Sequence, residues 1–300
     1  MHIAVTGSSG LIGTALCVAL RDDGHRIVPV VRASGVDGTI AWDPVAGKID
    51  AAALEGIDAV IHLAGEGIAA RPWTKAQRAQ ISNSRSHGTA LLARTLAGLD
   101  RKPAVLVSGS AIGYYGDRGD ELLTEDSRPG TGFLAEVCTS WEAATAPAVE
   151  AGIRTPLVRT GIVLDPAGGS LGKQLFAFKL GLGAKAGRGT QWISWITLAD
   201  EVAALRHVVV DETITGPVNL VAPNPVTNAE FTDALGQALH RPTFLTIPRA
   251  VRHLPFGIGD LVDSLLFTSA RVRPGVLDKT GFTFSDPNLG PALADLLNHP

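Results

Sequence analysis

Three glycines, Gly7, Gly10 and Gly13, have the spacing that points most directly to a chemistry. They sit in Val5-Thr6-Gly7-Ser8-Ser9-Gly10-Leu11-Ile12-Gly13, after a short apolar run and ahead of an Ala- and Leu-rich segment. Gly7 permits a tight turn. Gly10 removes the Cβ that would hold a pyrophosphate away from the backbone. Gly13 lets the following helix pack close to the sheet. Ser8, Ser9, Leu11 and Ile12 complete the loop, and the helix N-terminus offers unpaired N–H groups and the positive end of its dipole to phosphates. A dinucleotide is the expected ligand. In sites that read an unphosphorylated ribose, an acid lies about 20 residues on, at the tip of the second strand. Here Val31 is followed by Arg32. A guanidinium stacks on adenine and pairs with a 2′-phosphate, which favours NADP(H). A solvated surface arginine is the competing reading.

The other chemically capable groups say less. No histidine pair has metal-ligand spacing. His62 reads as a packing histidine at a strand end, and His87 and His207 have no partner in sequence. Arg271-Val272-Arg273-Pro274 is either a contact for an anionic substrate or a solvated basic turn. The two cysteines, Cys17 and Cys138, build neither a zinc site nor a disulfide framework, so a reducing, cytoplasmic setting is expected.

These groups need a scaffold, and 300 residues with 45% apolar and 18% charged content can bury one. The net charge of −3, from 26 basic and 29 acidic groups, argues against a nucleic-acid partner. No apolar run is long enough to span a bilayer, and the chain opens directly into His2-Ile3-Ala4-Val5 without a charged leader. Strand-like runs at Ile3–Thr6, Ile27–Val31, Ala59–Leu63, Ala104–Val107 and Thr155–Val163 alternate with helical segments at Leu11–Arg21, Lys75–Leu99 and Leu134–Ala151. That alternation predicts an α/β fold, a Rossmann-type doubly wound parallel sheet over residues 1–165, with 196–215 returning to it. Residues 166–300, proline-rich, are expected to form a smaller α+β substrate lobe. Gly168–Gly172 and Gly181–Gly189 read as loops, and helices are expected at Leu198–Val210, Asn228–Leu239 and Ile258–Leu266.

The glycine pattern, Asp58-Ala59-Val60-Ile61-His62-Leu63-Ala64-Gly65 and Ser108-Gly109-Ser110-Ala111-Ile112-Gly113-Tyr114-Tyr115-Gly116 resemble the extended short-chain dehydrogenase/reductases. Cys138-Thr139-Ser140-Trp141-Glu142, Arg159-Thr160-Gly161-Ile162-Val163-Leu164, Gln191-Trp192-Ile193-Ser194-Trp195-Ile196 and Ala222-Pro223-Asn224-Pro225-Val226-Thr227 narrow the likeness to the atypical NAD-dependent epimerase/dehydratase-like "epimerase family" branch. The resemblance spans essentially the whole chain. It implies that Leu63, Ala64 and Gly65 lie against the cofactor and that Val163 follows the strand ending near the nicotinamide. Ser84-Arg85-Ser86-His87-Gly88-Thr89 resembles the superfamily's N-x-x-G-T segment, with Arg85 in the asparagine position. Gln80, five residues earlier, is a further candidate for the cofactor cleft. Asp200 resembles the start of the returning helix, as a cap or structural contact.

Where the superfamily carries Tyr-x-x-x-Lys, this chain has Cys138 and Glu142. A glutamate accepts a hydrogen bond from a ribose hydroxyl but supplies no positive field to activate an acid, and it opposes thiolate formation at Cys138. Ser110 matches the serine that polarises a substrate carbonyl; a strand-end serine bonding the backbone is the alternative. Tyr114 and Tyr115, the only tyrosines, are either proton donors or packing groups of the cleft wall. The candidates for catalysis are thus Ser110, Cys138 and Glu142, with a small-molecule substrate between the lobes. Two functions compete: an NADP(H)-dependent oxidoreductase or epimerase-like enzyme, and a cofactor-binding sensor that has lost the Tyr-x-x-x-Lys chemistry. A pure interaction scaffold would not need the glycine loop.

Overall fold

The computed structural model describes residues 1–32 and 35–298, so the last two positions of the expected 166–300 lobe lie outside the described residues. The first half runs β1 (His2–Thr6), α1 (Leu11–Asp22), β2 (Arg26–Val31), β3 (Ile40–Asp43), β4 (Lys48–Ile49), β5 (Ala59–His62), α2 (Lys75–Ala97), β6 (Val105–Ala111), β7 (Leu122–Leu123), α3 (Phe133–Ala143), α4 (Ala146–Glu150), β8 (Pro156–Thr160) and β9 (Ile162–Asp165). The second half runs α5 (Gly169–Lys179), β10 (Ala184–Ala186), β11 (Trp192–Ile193), β12 (Trp195–Thr197), α6 (Leu198–Val210), β13 (Gly216–Leu220), β14 (Val226–Thr227), α7 (Asn228–Ala238), β15 (Leu245–Ile247), α8 (Ile258–Leu266), β16 (Arg271–Val272), α9 (Gly275–Lys279) and α10 (Leu289–Asn298).

Eight strands form one sheet in the order β13-β8-β6-β5-β1-β2-β3-β4, parallel throughout except for the final β3–β4 pair. The chain moves outward from β1 through β2 to β3, then restarts on the other side of β1 with β5. This reversal leaves a crevice between the C-terminal ends of β1 and β5, where open α/β sheets bind ligands. Because side chains alternate across a strand, each strand feeds two cores. Ile3, Val5, Ala59, Ile61, Val105 and Val107 face α1 and α6, while Ala4, Val60 and Leu106 face α2 and α4. Helix α1 shows why it packs there: Gly13, Leu16, Cys17 and Leu20 recur on one face and are buried.

The expected 196–215 return contains α6, and the chain stays on the sheet through β13 to Leu220. A separate core of Leu171, Leu175, Phe178, Trp195, Phe231, Leu235 and Leu293 holds the C-terminal helices α5, α7 and α10.

Several expectations need correction. Gly168–Gly172 is not a loop; α5 begins at Gly169. Its glycines serve close approach, since a Cβ on Gly168 would lie 3.1 Å from Leu11 Cδ1. The Gly181–Gly189 stretch contains β10, which pairs with β15. The Leu134–Ala151 segment is two helices, because Pro147 sits in the first turn of α4 and cannot continue an earlier hydrogen-bond ladder. The Thr155–Val163 run divides at Gly161, whose added Cβ would lie 2.8 Å from Val221 Cγ1 and 2.9 Å from the Ser194 oxygen. Beyond it β9 leaves the main sheet and pairs with β12. The β3–β4 hairpin has no counterpart in the strand pattern read from sequence. Its turn is held by Asp43, whose Oδ1 accepts from the backbone N–H groups of Val45 and Ala46.

Candidate functional site

The β1–α1 turn lies at the sheet's reversal point. Gly7 has φ +70°, a conformation that L side chains rarely adopt, and a Cβ there would come within 2.8 Å of the Leu63 carbonyl carbon and 2.9 Å of the Ala64 nitrogen. Gly7 is therefore the glycine that brings this turn against β5. Gly13 packs against the Gly7 carbonyl oxygen rather than against the sheet. Gly10 faces open space except for one close contact: a Cβ there would lie 3.3 Å from the Gly7 oxygen, with no other atom of the described residues beyond its chain neighbours within 4 Å. Gly10 is also the N-cap of α1 and supplies no side chain to the first N–H groups. An uncapped helix start beside an open glycine suits a dinucleotide's pyrophosphate. Ser9 and Gly10 are exposed, and Ser8, Leu11 and Ile12 are half-buried.

Behind the turn, Thr6 Oγ1 accepts from the N–H groups of Leu63 and Ala64, each at 3.1 Å. With both lone pairs used, its proton goes to His62 Nδ1, 2.7 Å away. Nε2 of His62 then carries the ring proton and donates to Thr89 Oγ1 at 2.9 Å. Burial and the Arg85 charge push the His62 pKa down to about 4, so the ring is neutral at physiological pH. This Thr6–His62–Thr89 chain fixes the backbone of Leu63, Ala64 and exposed Gly65.

The Cys138 and Glu142 positions share the inner face of α3. Glu142 is committed to an ion pair: Arg159 donates from Nε to Oε1 at 2.8 Å and from Nη2 to Oε2 at 2.9 Å. Ser110 Oγ donates to the same Oε1 at 2.7 Å. Arg159 also donates to Tyr115 Oη, and Tyr115 in turn donates to Asn219 Oδ1. Tyr115 is fully buried with its pKa pushed up to about 12, chiefly by burial, and Tyr114 lies beneath the Arg159 guanidinium at 3.5 Å. Burial, reinforced by the Glu142 charge, pushes the Cys138 thiol up to about 11. Ser110 and Glu142 are thus brought together, Cys138 is a neutral thiol beside them, and both tyrosines serve the Arg159 network.

Next to this network an apolar cavity of about 250 Å³ opens between the two halves of the chain. Cys138 and Trp141 of α3 form one wall with Leu134 and Val137, and Ile162, Ile193, Trp192 and Leu265 close the other side. Arg85 also faces it. Thr160 lines the cavity and donates at 2.8 Å to Glu201 Oε1. Glu201 is fully buried, and its Oε2 has no hydrogen-bond partner among the described residues. Burial pushes its pKa up to about 8.

Sequence reasoning missed Arg159 and Glu201. A signal existed for both: Arg159 interrupts an apolar strand, and Glu201 occupies the buried stripe that continues through Ala204, Leu205 and Val208. Of the remaining candidates, Arg32 is exposed at the end of β2 and Val31 is half-buried. Val163 packs on the core beneath α1. Gln80 is exposed on α2; Gln77, three residues earlier, is the buried one and donates to Glu66 Oε1. Asp200 does not cap α6, a role taken by Thr197; its carboxylate accepts from the backbone N–H groups of Ser285 and Asp286. Arg273 pairs with Asp278 at the surface, while Arg271 stacks on Trp192.

Fold and site together define a dinucleotide-binding α/β protein of the short-chain dehydrogenase/reductase type, and the chain belongs to the NAD dependent epimerase/dehydratase family, whose profile matches residues 3–219. A domain of unknown function, DUF1731, matches residues 247–296. The chain is 42% identical over 299 residues to the epimerase family protein Mb2239 of Mycobacterium bovis, covering 99% of this chain and 98% of that one. Its fold superposes on the crystal structure of the human epimerase family protein SDR39U1 (isoform 2) with NADPH at a TM-score of 0.91, with 34% identity and full coverage of both chains. A nucleoside-diphosphate sugar epimerase from Corynebacterium glutamicum superposes at 0.82 with 37% identity, over 99% of this chain and 58% of that one.

Proposed function

We propose that this protein binds NADP(H) at the β1–α1 turn and is an oxidoreductase or epimerase-like enzyme for a small molecule held in the apolar cavity. The observation that carries the reading is the uncapped start of α1 beside open Gly10, at the reversal point of the sheet. The human relative solved with NADPH supports it. In this reading the turn from Gly7 to Gly13 holds the pyrophosphate, Arg32 meets the 2′-phosphate, and Leu63, Ala64 and Gly65 form the wall behind the cofactor. Val31 and Val163 flank it. The cofactor supplies hydride chemistry; the chain supplies orientation and a water-poor chamber. A cytoplasmic location belongs to the same reading and is supported by two buried, unpaired cysteines. Among the described residues no helix is long and apolar enough to cross a membrane.

The proton has to come from a group other than the superfamily's tyrosine. Ser110 donates its proton to Glu142, so it acts on a substrate carbonyl only when that bond is exchanged. Glu142, held on both oxygens by Arg159, orients the α3 wall and supplies no positive field.

One observation favours a second reading, a sensor that binds the cofactor without turnover: the thiol at Cys138 is protonated and enclosed where the superfamily's proton donor stands. A single experiment separates the two. NADPH deuterated at C4 is incubated with the protein and a metabolite extract, and transferred label is read by mass spectrometry against the Gly10→Val variant. Label in one compound, absent with the variant, is the expected result. Tight NADPH binding without any transferred label would favour the sensor, or an epimerase that returns its hydride internally. NADPH affinity unchanged in Gly10→Val would overturn the phosphate-loop assignment.

A further inference from the structure

Arg85 is a cation placed in an apolar cavity without a counter-ion. It projects from α2, and no carboxylate lies within ion-pair distance of it among the described residues. Its guanidinium is held in place from one side only. Nη1 donates to the Glu66 carbonyl at 2.8 Å and to the Ile81 carbonyl at 3.2 Å, which uses both of its protons. The flat face of the group lies against Gly65, where a Cβ would come within 3.2 Å of Cζ, and the Trp141 ring is 5.0 Å away. The Nε–Nη2 edge makes no hydrogen bond to the described residues and belongs to a side chain that lines the cavity.

That edge presents two parallel N–H donors, the spacing that matches the two oxygens of a carboxylate. Arg85 is half-buried, and its unbonded edge keeps contact with solvent, so a forked cation is held ready there for an anion entering the cavity. Burial does push the Arg85 pKa down from its ordinary value, with Glu66 and Cys138 opposing the shift, yet a guanidinium remains charged at physiological pH. Around it the cavity wall is Ile68, Leu134, Val137, Trp141, Ile162 and Leu265. The lining also carries polar groups, among them Ser170, Gln174, Ser264 and Thr268, but among the described residues Arg85 is the one cation on a mostly apolar wall, which favours a compact monoanion with a hydrocarbon body over a multiply charged phosphate.

We infer that the substrate is a small apolar carboxylic acid, seated with its carboxylate on the Nε–Nη2 edge of Arg85 and its hydrocarbon part in the cavity. This assigns Arg85 to the substrate rather than to the cofactor, the role its position in the N-x-x-G-T-like segment had implied. The inference rests on the reading of the cavity as the substrate chamber.

Its test is a binding measurement. The full chain is titrated with hexanoate and with hexanamide, and separately with phenylacetate and phenylacetamide, following heat release by calorimetry with and without NADPH. In the unmodified protein the acid of at least one pair should bind about tenfold tighter than its amide, as expected for a charge-assisted bidentate contact. Arg85→Gln should abolish that preference while leaving NADPH affinity unchanged, and Arg85→Lys should restore part of it. Equal affinity of acid and amide in both pairs, or no binding by either acid, overturns the inference. So does an Arg85→Gln protein that loses NADPH affinity together with the acid, which would return Arg85 to the cofactor. Failure of the unmodified protein to bind NADPH would instead count against the cofactor reading and leave the acid–amide comparison standing.

Discussion

Glu201 has no exposed surface, no cation within ion-pair distance among the described residues, and one oxygen without a partner. Such a carboxyl is more stable protonated in the fold than in the unfolded chain. Its pKa is raised from 4.5 to about 8, so the stability it permits is fully present below about pH 4.5 and is lost as pH rises through 8. Glu201→Gln keeps the shape and removes the titration. Urea unfolding from pH 5 to pH 9 should show the unmodified protein losing stability relative to the variant, by a few kcal/mol at about 1.4 kcal/mol per pKa unit. Parallel pH curves would mean that Glu201 ionises in place. Thr160 joins this carboxyl to the cavity wall, so a change in the Glu201 charge is felt a single hydroxyl away from the cavity.

Among the elements, α3 and β8 are joined by the Glu142–Arg159 pair, whose side chains are 10% and 3% exposed. The pair explains why the sequence position of the superfamily's lysine cannot simply be restored. Glu142→Lys would place two cations together in the interior, and breaking a buried pair leaves an uncompensated charge. The variant should be destabilised by about 3 kcal/mol or more in urea unfolding, with no gain in any activity. Equal stability of the variant would mean that Arg159 finds another partner.

The glycine turn and the strands around it were legible because their signal is local: a loop of fixed spacing between a β-branched run and a helix. The hairpin of β3 and β4 was not, since strands of four and two residues carry no periodicity. The division of the long helix at Thr145 had a local signal in Pro147 that the helical pattern overrode, whereas that of the long strand at Gly161 depends on what packs beside it. The partners of Glu142 were hidden for the same reason, as Arg159 comes from another element and meets it only across the folded interior. Arg85 was visible as a residue, but its unoccupied donor edge exists only once Gly65 and Trp141 lie against it.

At the scale of the whole molecule, the nucleotide-binding half is not a segment of chain. Strand β13 forms the sheet's edge beside β8, and α6 covers the face made by Ile3, Val5, Ile61 and Val107. Residue Leu277 of α9 joins the same core. A protein ending at residue 165 would lack all of these. It should fail to give a cooperative thermal transition, whereas one ending after Leu220 should retain more of its near-ultraviolet circular dichroism. A cooperative transition for the shorter piece would show that β1 to β9 suffice. The same architecture governs how the protein is made. On the ribosome, the β8 edge and the apolar face meant for α6 are complete on one side well before their covers are synthesised. At ordinary elongation rates the interval is on the order of several seconds. During it the nascent chain exposes an unpaired strand edge, the kind of surface that pairs with other chains until β13 covers it.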